Sequence, residues 1–428
     1  MSKRIYALAS LLLFASMMLA ACGSTPTAAP AATEASTEAP AVTEAPATEA
    51  AAAGAPEVCA TDEFGCAVFK PGDVIKIGMG APMTGDYAAF GIDISQGAMI
   101  AVQDAGDVDG FKFELVTEDD GGSPEGGAAV ANKFVTDPAI VAIAGHIFSG
   151  ATNAAMPIYE KAGIPMMSPS ATNPDLTKQS SKVFNRLVFT DADQGRFAAE
   201  YLFNKLSITK LAVIHDGSSY GQGLAQVTND EFIKLGGEVV EFTAITPGES
   251  DYSATLADVA AKQPQAIYFG GYNAEAAVIV NQMKQSGLDG VVFFGDDGTF
   301  GQDFLDRTGA NSEGTYSTSL VPPATDAKAA FDAAYEAAYQ TPAGKLSPYT
   351  WTAYDSAASL VSAIKSVAVL GGDGNLYIPR GALVAAVRSI KEYQGLSGVV
   401  TCQENGECAS SGPTFYVAKD GTWVEAEK

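Results

Sequence analysis

Short apolar runs followed by helical patterns recur along this chain in the same order twice, and that rhythm leaves few folds open. Residues 74–78 read as a buried strand and 97–104 as a helix; 111–116, 140–144 and 165–167 read as further strands, with helices over 125–135 and 149–160 between them. The rhythm restarts at 211–214, with helix 221–235, strand 238–243, strand 266–269, helix 275–286 and strand 291–294. Strand–helix alternation of this kind predicts parallel sheets covered on both faces. Two consecutive series of roughly 120 residues predict two doubly wound α/β lobes instead of one barrel. Helical patterns over 327–339 and 349–367 follow, then a short strand-rich tail from Leu396.

The first 72 of the 428 residues are of another kind. Lys3 and Arg4 precede an apolar run over 5–20 that is short for a membrane span. The run ends Leu19-Ala20-Ala21-Cys22-Gly23, the pattern of a bacterial lipobox, so residues 1–21 read as a lipoprotein signal and Cys22 as the lipidated mature terminus. A plain secretory signal before an incidental cysteine is the alternative. Residues 23–56 repeat Thr-Glu-Ala and Ala-Pro units without Lys, Arg or aromatics, a composition that cannot bury a core. Residues 22–72 are therefore expected to be a lipid-bearing tether and lead-in, and the chain is expected on the extracytoplasmic face of a cell membrane.

Cysteine spacing supports export. Cys59 and Cys66, and Cys402 and Cys408, form two close pairs that suggest local disulfides, the second closing a turn at Asn405-Gly406. Neither pair has zinc spacing, and His146 and His215 are the only histidines. Glu118-Asp119-Asp120 lacks the full calcium-ligand spacing, so no metal is expected. The formal charge of −25 argues against nucleic acid or anionic lipid as a partner, and it becomes −27 once Lys3 and Arg4 leave with the signal. No catalytic Cys–His arrangement or phosphate loop is present, and residues 78–83 read Gly-Met-Gly-Ala-Pro-Met, which is not a dinucleotide turn. Neither a cofactor nor an enzyme activity is expected.

In open parallel sheets, ligands sit beyond the carboxyl ends of the strands. There the first lobe offers Gly145-His146-Ile147-Phe148-Ser149-Gly150 opening a helix, with Ser149 read as its N-cap, and Pro169-Ser170-Ala171-Thr172-Asn173-Pro174 with more hydroxyl and amide donors. The second lobe offers Tyr220, Tyr272 and the carboxylates of Asp296 and Asp297. Hydroxyls with a helix start suit an anion, and carboxylates with aromatics suit a cation. A zwitterion fits between them.

From about Asp73 onward, several blocks in order give the chain a resemblance to periplasmic-type solute-binding proteins of branched-chain amino acid ABC transporters. The carriers are Ile77-Gly78-Met79-Gly80-Ala81-Pro82-Met83-Thr84-Gly85, Tyr159-Glu160-Lys161-Ala162-Gly163-Ile164-Pro165, Ser168 to Pro174, Asp193-Gln194-Gly195, Tyr220-Gly221-Gln222-Gly223 and Gly270-Gly271-Tyr272. The resemblance implies the type I fold, two lobes on a three-segment hinge with the ligand in the cleft. It implies Ser149 and Thr172, helped by the backbone of Ser170 beside Ala171, for a ligand carboxylate. Thr172 and Asp297 would hold its ammonium, Tyr220 and Tyr272 would close over it, and Phe90 would line the side-chain pocket. Asp297 departs from the Glu that many members carry. Crossovers near Asp191, Val321 and Gly395 would assign 73–190 with 321–395 to one lobe and 191–320 with 396–428 to the other.

The implied function is capture of an aliphatic amino acid by hinge closure, for delivery to membrane permease subunits by a monomeric carrier. An amide, urea-like or short-peptide ligand in the same fold is the nearest alternative, and a sensory receptor is another. Each residue also has a plainer role open to it. Ser149 could be only a cap, Tyr220 and Tyr272 surface aromatics, Asp297 a helix-end carboxylate replaced by Asp296, and Phe90 core. Trp351 and Tyr354, at helical spacing, read as core.

Overall fold

Order begins before residue 73. The computed structural model describes residues 54–409 and 411–427, and the signal, Cys22 and most of the tether lie outside these described residues. A short helix, Glu57–Thr61, is tied by the Cys59–Cys66 disulfide to β1 (Cys66–Phe69). Asp62, between them, accepts from the N–H groups of Gly381 (2.9 Å) and Ala382 (3.0 Å), capping a helix some 320 positions later. The lead-in is thus folded from about Glu57.

The first large sheet is built on β2 (Ile75–Ala81), with β3 (Asp107–Val108), β4 (Phe111–Asp119), β5 (Ile140–Ile143), β6 (Met166–Ser168) and β7 (Phe184–Arg186) in the order β3-β4-β2-β5-β6-β7. All pairs are parallel except the β3–β4 edge. Alternation along β2 decides its two faces. Ile75, Ile77 and Met79 are fully buried toward the helices Ala88–Asp104 and Thr350–Val367. Gly78 faces the other layer, where a β-carbon would stand 2.9 Å from the Phe134 ring. That layer is Pro124–Thr136 and Ser149–Ala162, packed on Ile140, Ile143 and Met166.

The chain enters the second lobe through the helix Asp191–Glu200, capped by Thr190. Here β8 (Lys210–His215), β9 (Glu238–Ala244), β10 (Ala266–Gly270), β11 (Val292–Phe294) and β12 (Tyr316–Ser319) are parallel. It then returns to the first lobe for Asp326–Tyr339, Thr350–Val367, β13 (Val369–Leu370), β14 (Leu376–Pro379), the helix Arg380–Arg388 and the small hairpin of β15 (Tyr393–Gln394) with β16 (Val399–Val400). Finally β17 (Thr414–Lys419) and β18 (Thr422–Glu425) add antiparallel to β12, giving the order β18-β17-β12-β11-β10-β8-β9. β1, β14 and β13 make a separate three-stranded sheet.

The expected crossover at Gly395 is corrected by this path. Leu396 and Ser397 donate their N–H groups, each at 2.7 Å, to the buried Asp355 carboxylate on Thr350–Val367. Further on, Cys408 N–H donates to the Arg186 carbonyl (2.9 Å) and Arg186 N–H to the Gly406 carbonyl (3.0 Å). A buried carboxylate and an open sheet edge both need donors, and 396–408 satisfies them. The stretch stays with the first lobe, and the chain leaves it after residue 408. The Cys402–Cys408 pair is bridged, as its spacing suggested.

The helices Ala88–Asp104 and Thr350–Val367 cross at Gly97, where a β-carbon would meet the Thr350 carbonyl oxygen at 2.4 Å. Gly97→Ala should therefore destabilise the protein by about 1–3 kcal/mol in urea denaturation, although alanine alone favours a helix by about 1 kcal/mol. A more stable variant would mean that this crossing is not tight.

Candidate functional site

Strand ends from both lobes converge on one small cavity. Phe90, Ile147, Phe148, Ser149, Ser170 and Tyr349 wall it from the first lobe, and Tyr220, Tyr272, Asp297 and Gly298 from the second. Phe90, Ser149, Ser170, Tyr220, Tyr272 and Asp297 are thus brought together. Ala171 and Thr172 stand behind this wall: the Ala171 carbonyl is taken by Arg186 Nη1 (3.0 Å), and the fully buried Thr172 hydroxyl lies beside Asp191 without bonding geometry.

The first-lobe wall is two loops stitched together. His146 is fully buried, bonding Asp120 through Nδ1 (2.7 Å) and the Tyr159 hydroxyl through Nε2 (2.9 Å). Its carbonyl accepts from Ser168 Oγ (2.6 Å) and Thr152 Oγ1 (3.2 Å). Ser170 Oγ donates to the Ile147 carbonyl (2.7 Å), and Asn173 N–H donates to Ser149 Oγ (3.3 Å). Ser149 is the first residue of its helix, so Phe148 occupies the cap position expected for Ser149. The hydroxyl instead faces the neighbouring loop, because Phe148 already has the extended backbone a cap requires.

The second-lobe wall centres on Asp297, which heads a single 3₁₀ turn, Asp297–Thr299, after β11. Its Oδ1 accepts from Gln194 Nε2 (2.5 Å) and the Tyr220 hydroxyl (2.6 Å), and Tyr349, reaching across from the first lobe, donates its hydroxyl to Oδ2. Gln194 is held by returning bonds, accepting from Asp297 N–H (3.1 Å) and from the Thr318 hydroxyl. Asp296, fully buried, does not line the cavity and accepts from Gly271 N–H (2.8 Å).

Burial has a common electrostatic result for these carboxylates. Desolvation pushes Asp297 above the usual carboxylate range, opposed by the donors Tyr220, Tyr349 and Gln194. Asp296 and Asp191 go well above it, through burial and then the charge of Asp297. Asp216, at the end of β8, is raised to about 6, chiefly by burial.

The lobes meet directly across this cleft. Phe148 and Tyr272 stack with centroids 4.2 Å apart and planes 13° apart, Tyr87 donates to Glu275 Oε1 (3.2 Å), and Asn173 Nδ2 donates to the Ser219 carbonyl (2.5 Å). Tyr349, Phe148 and Gln194 belong to the site although residue patterns had not singled them out. Tyr349 directly precedes the helix Thr350–Val367, whose pattern reads as core. Gln194 lies inside the Asp193-Gln194-Gly195 block, which gave it no role.

A sequence profile described as periplasmic binding protein matches residues 74–422. The chain is 35% identical over 299 residues to the Leu/Ile/Val/Thr-binding protein of Salmonella typhimurium, covering 67% of this chain and 79% of that one. It is 38% identical over 227 residues to an amino acid binding protein of Pseudomonas aeruginosa, covering 52% of this chain but only 60% of that relative's length. A branched-chain amino acid transporter substrate-binding protein of Streptococcus pneumoniae, solved with isoleucine, superposes with a TM-score of 0.73 at 28% identity, covering 83% of this chain and 99% of that one.

The buried carboxylates also make a pH prediction. Asp216 titrates near 6 in the folded chain against 3.8 as the ordinary value, so the folded state keeps its proton longer. The stability this confers is fully present below about pH 4 and is lost as pH rises through about 6, on the order of 2–3 kcal/mol. The ligand-free chain should unfold at lower urea at pH 7.5 than at pH 5, and Asp216→Asn should narrow that gap. An unchanged gap in the variant would contradict the assignment.

Proposed function

The chain belongs to the periplasmic binding protein family, and on that footing we propose that it is the extracytoplasmic solute-binding component of an ABC importer for an aliphatic or branched-chain amino acid. The observation that carries this reading is the Asp297 carboxylate. It is 3% exposed, its donors Gln194, Tyr220 and Tyr349 are all neutral, and it faces the start of a helix across a small aromatic-walled cavity. An α-ammonium supplies the missing positive charge. The ligand carboxylate goes to the opposite wall, where the Ser149 hydroxyl and the N-terminal turn of Ser149–Ala162 favour negative charge, with the Ser170 backbone beside them and Thr172 behind. Phe90, Phe148 and Tyr272 then surround the side chain. The isoleucine held by the pneumococcal relative supports that ligand class.

Binding begins on one lobe, and closure brings Tyr220, Tyr272 and Asp297 against the ligand and excludes water. Charge pairing in the dry cleft is stronger than in solvent, so closure and ammonium recognition reinforce each other. The lipidated Cys22 keeps the monomeric carrier at the membrane, where the closed form is handed to the permease. Its role is capture, with no chemistry on the ligand.

Calorimetric titration of the chain with L-leucine, L-isoleucine and L-valine, against urea and isobutyramide, tests this. At least one amino acid should bind, and Asp297→Asn should weaken it on the order of 100-fold, the cost of removing a buried charge partner. Binding of the amides alone, or an undiminished affinity in the variant, would overturn the reading in favour of a neutral ligand.

A further inference from the structure

Arg186 is fully buried at the end of β7 and spends all its donors on two distant segments. On one side it makes a two-pronged pair with Glu407, Nε to Oε2 at 2.9 Å and Nη2 to Oε1 at 2.6 Å. On the other, Nη1 donates to the carbonyls of Ala171 (3.0 Å) and Asn173 (2.7 Å), and Nη2 reaches the Thr177 hydroxyl (3.3 Å). The two carbonyls flank Thr172. A trans peptide points its N–H opposite to its C=O, so the Thr172 N–H is aimed away from the guanidinium. The other side of the same loop is held by Ser149, whose hydroxyl accepts from Asn173 N–H.

Glu407 is itself fixed by a closed turn. Gly406 N–H donates to the Gln403 carbonyl (3.0 Å) and Gln403 N–H to the Glu407 carbonyl (2.8 Å), inside the ring that Cys402–Cys408 completes. Gly406 has φ of 94°, and a β-carbon there would stand 2.3 Å from the Phe184 carbonyl oxygen, so the turn sits hard against the start of β7.

We infer that Glu407, acting through Arg186, is a positioning residue for ligand capture: the disulfide-closed turn holds the guanidinium that sets the Ser170–Asn173 loop. A lysine could not replace Arg186, because one ammonium cannot serve a carboxylate and two diverging carbonyls in this fixed fork. The inference rests on the amino-acid reading above for its affinity readout, and its second readout needs no ligand.

The test uses the full chain, with Glu407→Gln, which keeps the shape and removes the charge, and the paired Cys402→Ser/Cys408→Ser variant. Calorimetry with L-leucine should show affinity falling about tenfold or more in Glu407→Gln, through lost preorganisation. Hydrogen exchange of the ligand-free protein should quicken over 168–178 and stay unchanged over 210–320, and the paired serine variant should shift both readouts the same way. Parental exchange over 168–178 in both variants would overturn the proposal, as would exchange that quickens throughout the chain. Should the parent bind no amino acid, the functional reading fails while the exchange comparison still decides this one.

Discussion

A carboxylate placed where two lobes meet, with only neutral hydrogen-bond donors, is the constraint around which this structure is arranged. Asp297 is held by Gln194 and Tyr220 from its own lobe and by Tyr349 from the other. Such a group is costly to bury alone and strongly favours a cation that brings its own charge. Asp191 and Asp296 deepen the effect, because each is buried near enough to feel the charge of Asp297. A zwitterion relieves that cost and adds a carboxylate for the opposite wall.

That wall is rigid for reasons seated well behind it. His146 joins Asp120, Tyr159, Ser168 and Thr152, so the loop after β5 and the loop after β6 share one buried hub. Arg186 holds the second loop from the far side. The hydroxyls facing the cleft are therefore presented by backbone that is already fixed, which limits the ordering entropy that binding must overcome.

Much of the architecture was legible because parallel strands buried on both faces read as apolar runs, as in β2, β8 and β10. Strands with polar residues escaped: β7 is Phe-Asn-Arg and β12 is Tyr-Ser-Thr-Ser, and tertiary pairing decides them. The hinge boundary at Gly395 failed because 396–408 is held by Asp355 and Arg186, partners no local pattern can announce. At the site, residues directly after apolar strands could be found from position alone, which is why Ser149, Tyr220, Tyr272 and Asp297 stood out. Tyr349 and Gln194 approach from helix starts far away in the chain, and Phe148 takes the cap place that residue preference assigned to Ser149. Ala171 and Thr172 fall behind the wall because their loop is drawn toward Arg186, a contact set by a turn more than 200 residues later.

The central claim is that Asp297 receives the ammonium of an amino acid in the closed cleft. A crystal structure of the chain grown with L-isoleucine tests it most directly. The account predicts the ligand nitrogen within about 3 Å of an Asp297 carboxylate oxygen, its carboxylate against the Ser149 and Ser170 loops, and its side chain among Phe90, Phe148 and Tyr272. An isoleucine bound with its nitrogen away from Asp297, or with its two ends reversed between the lobes, would contradict it.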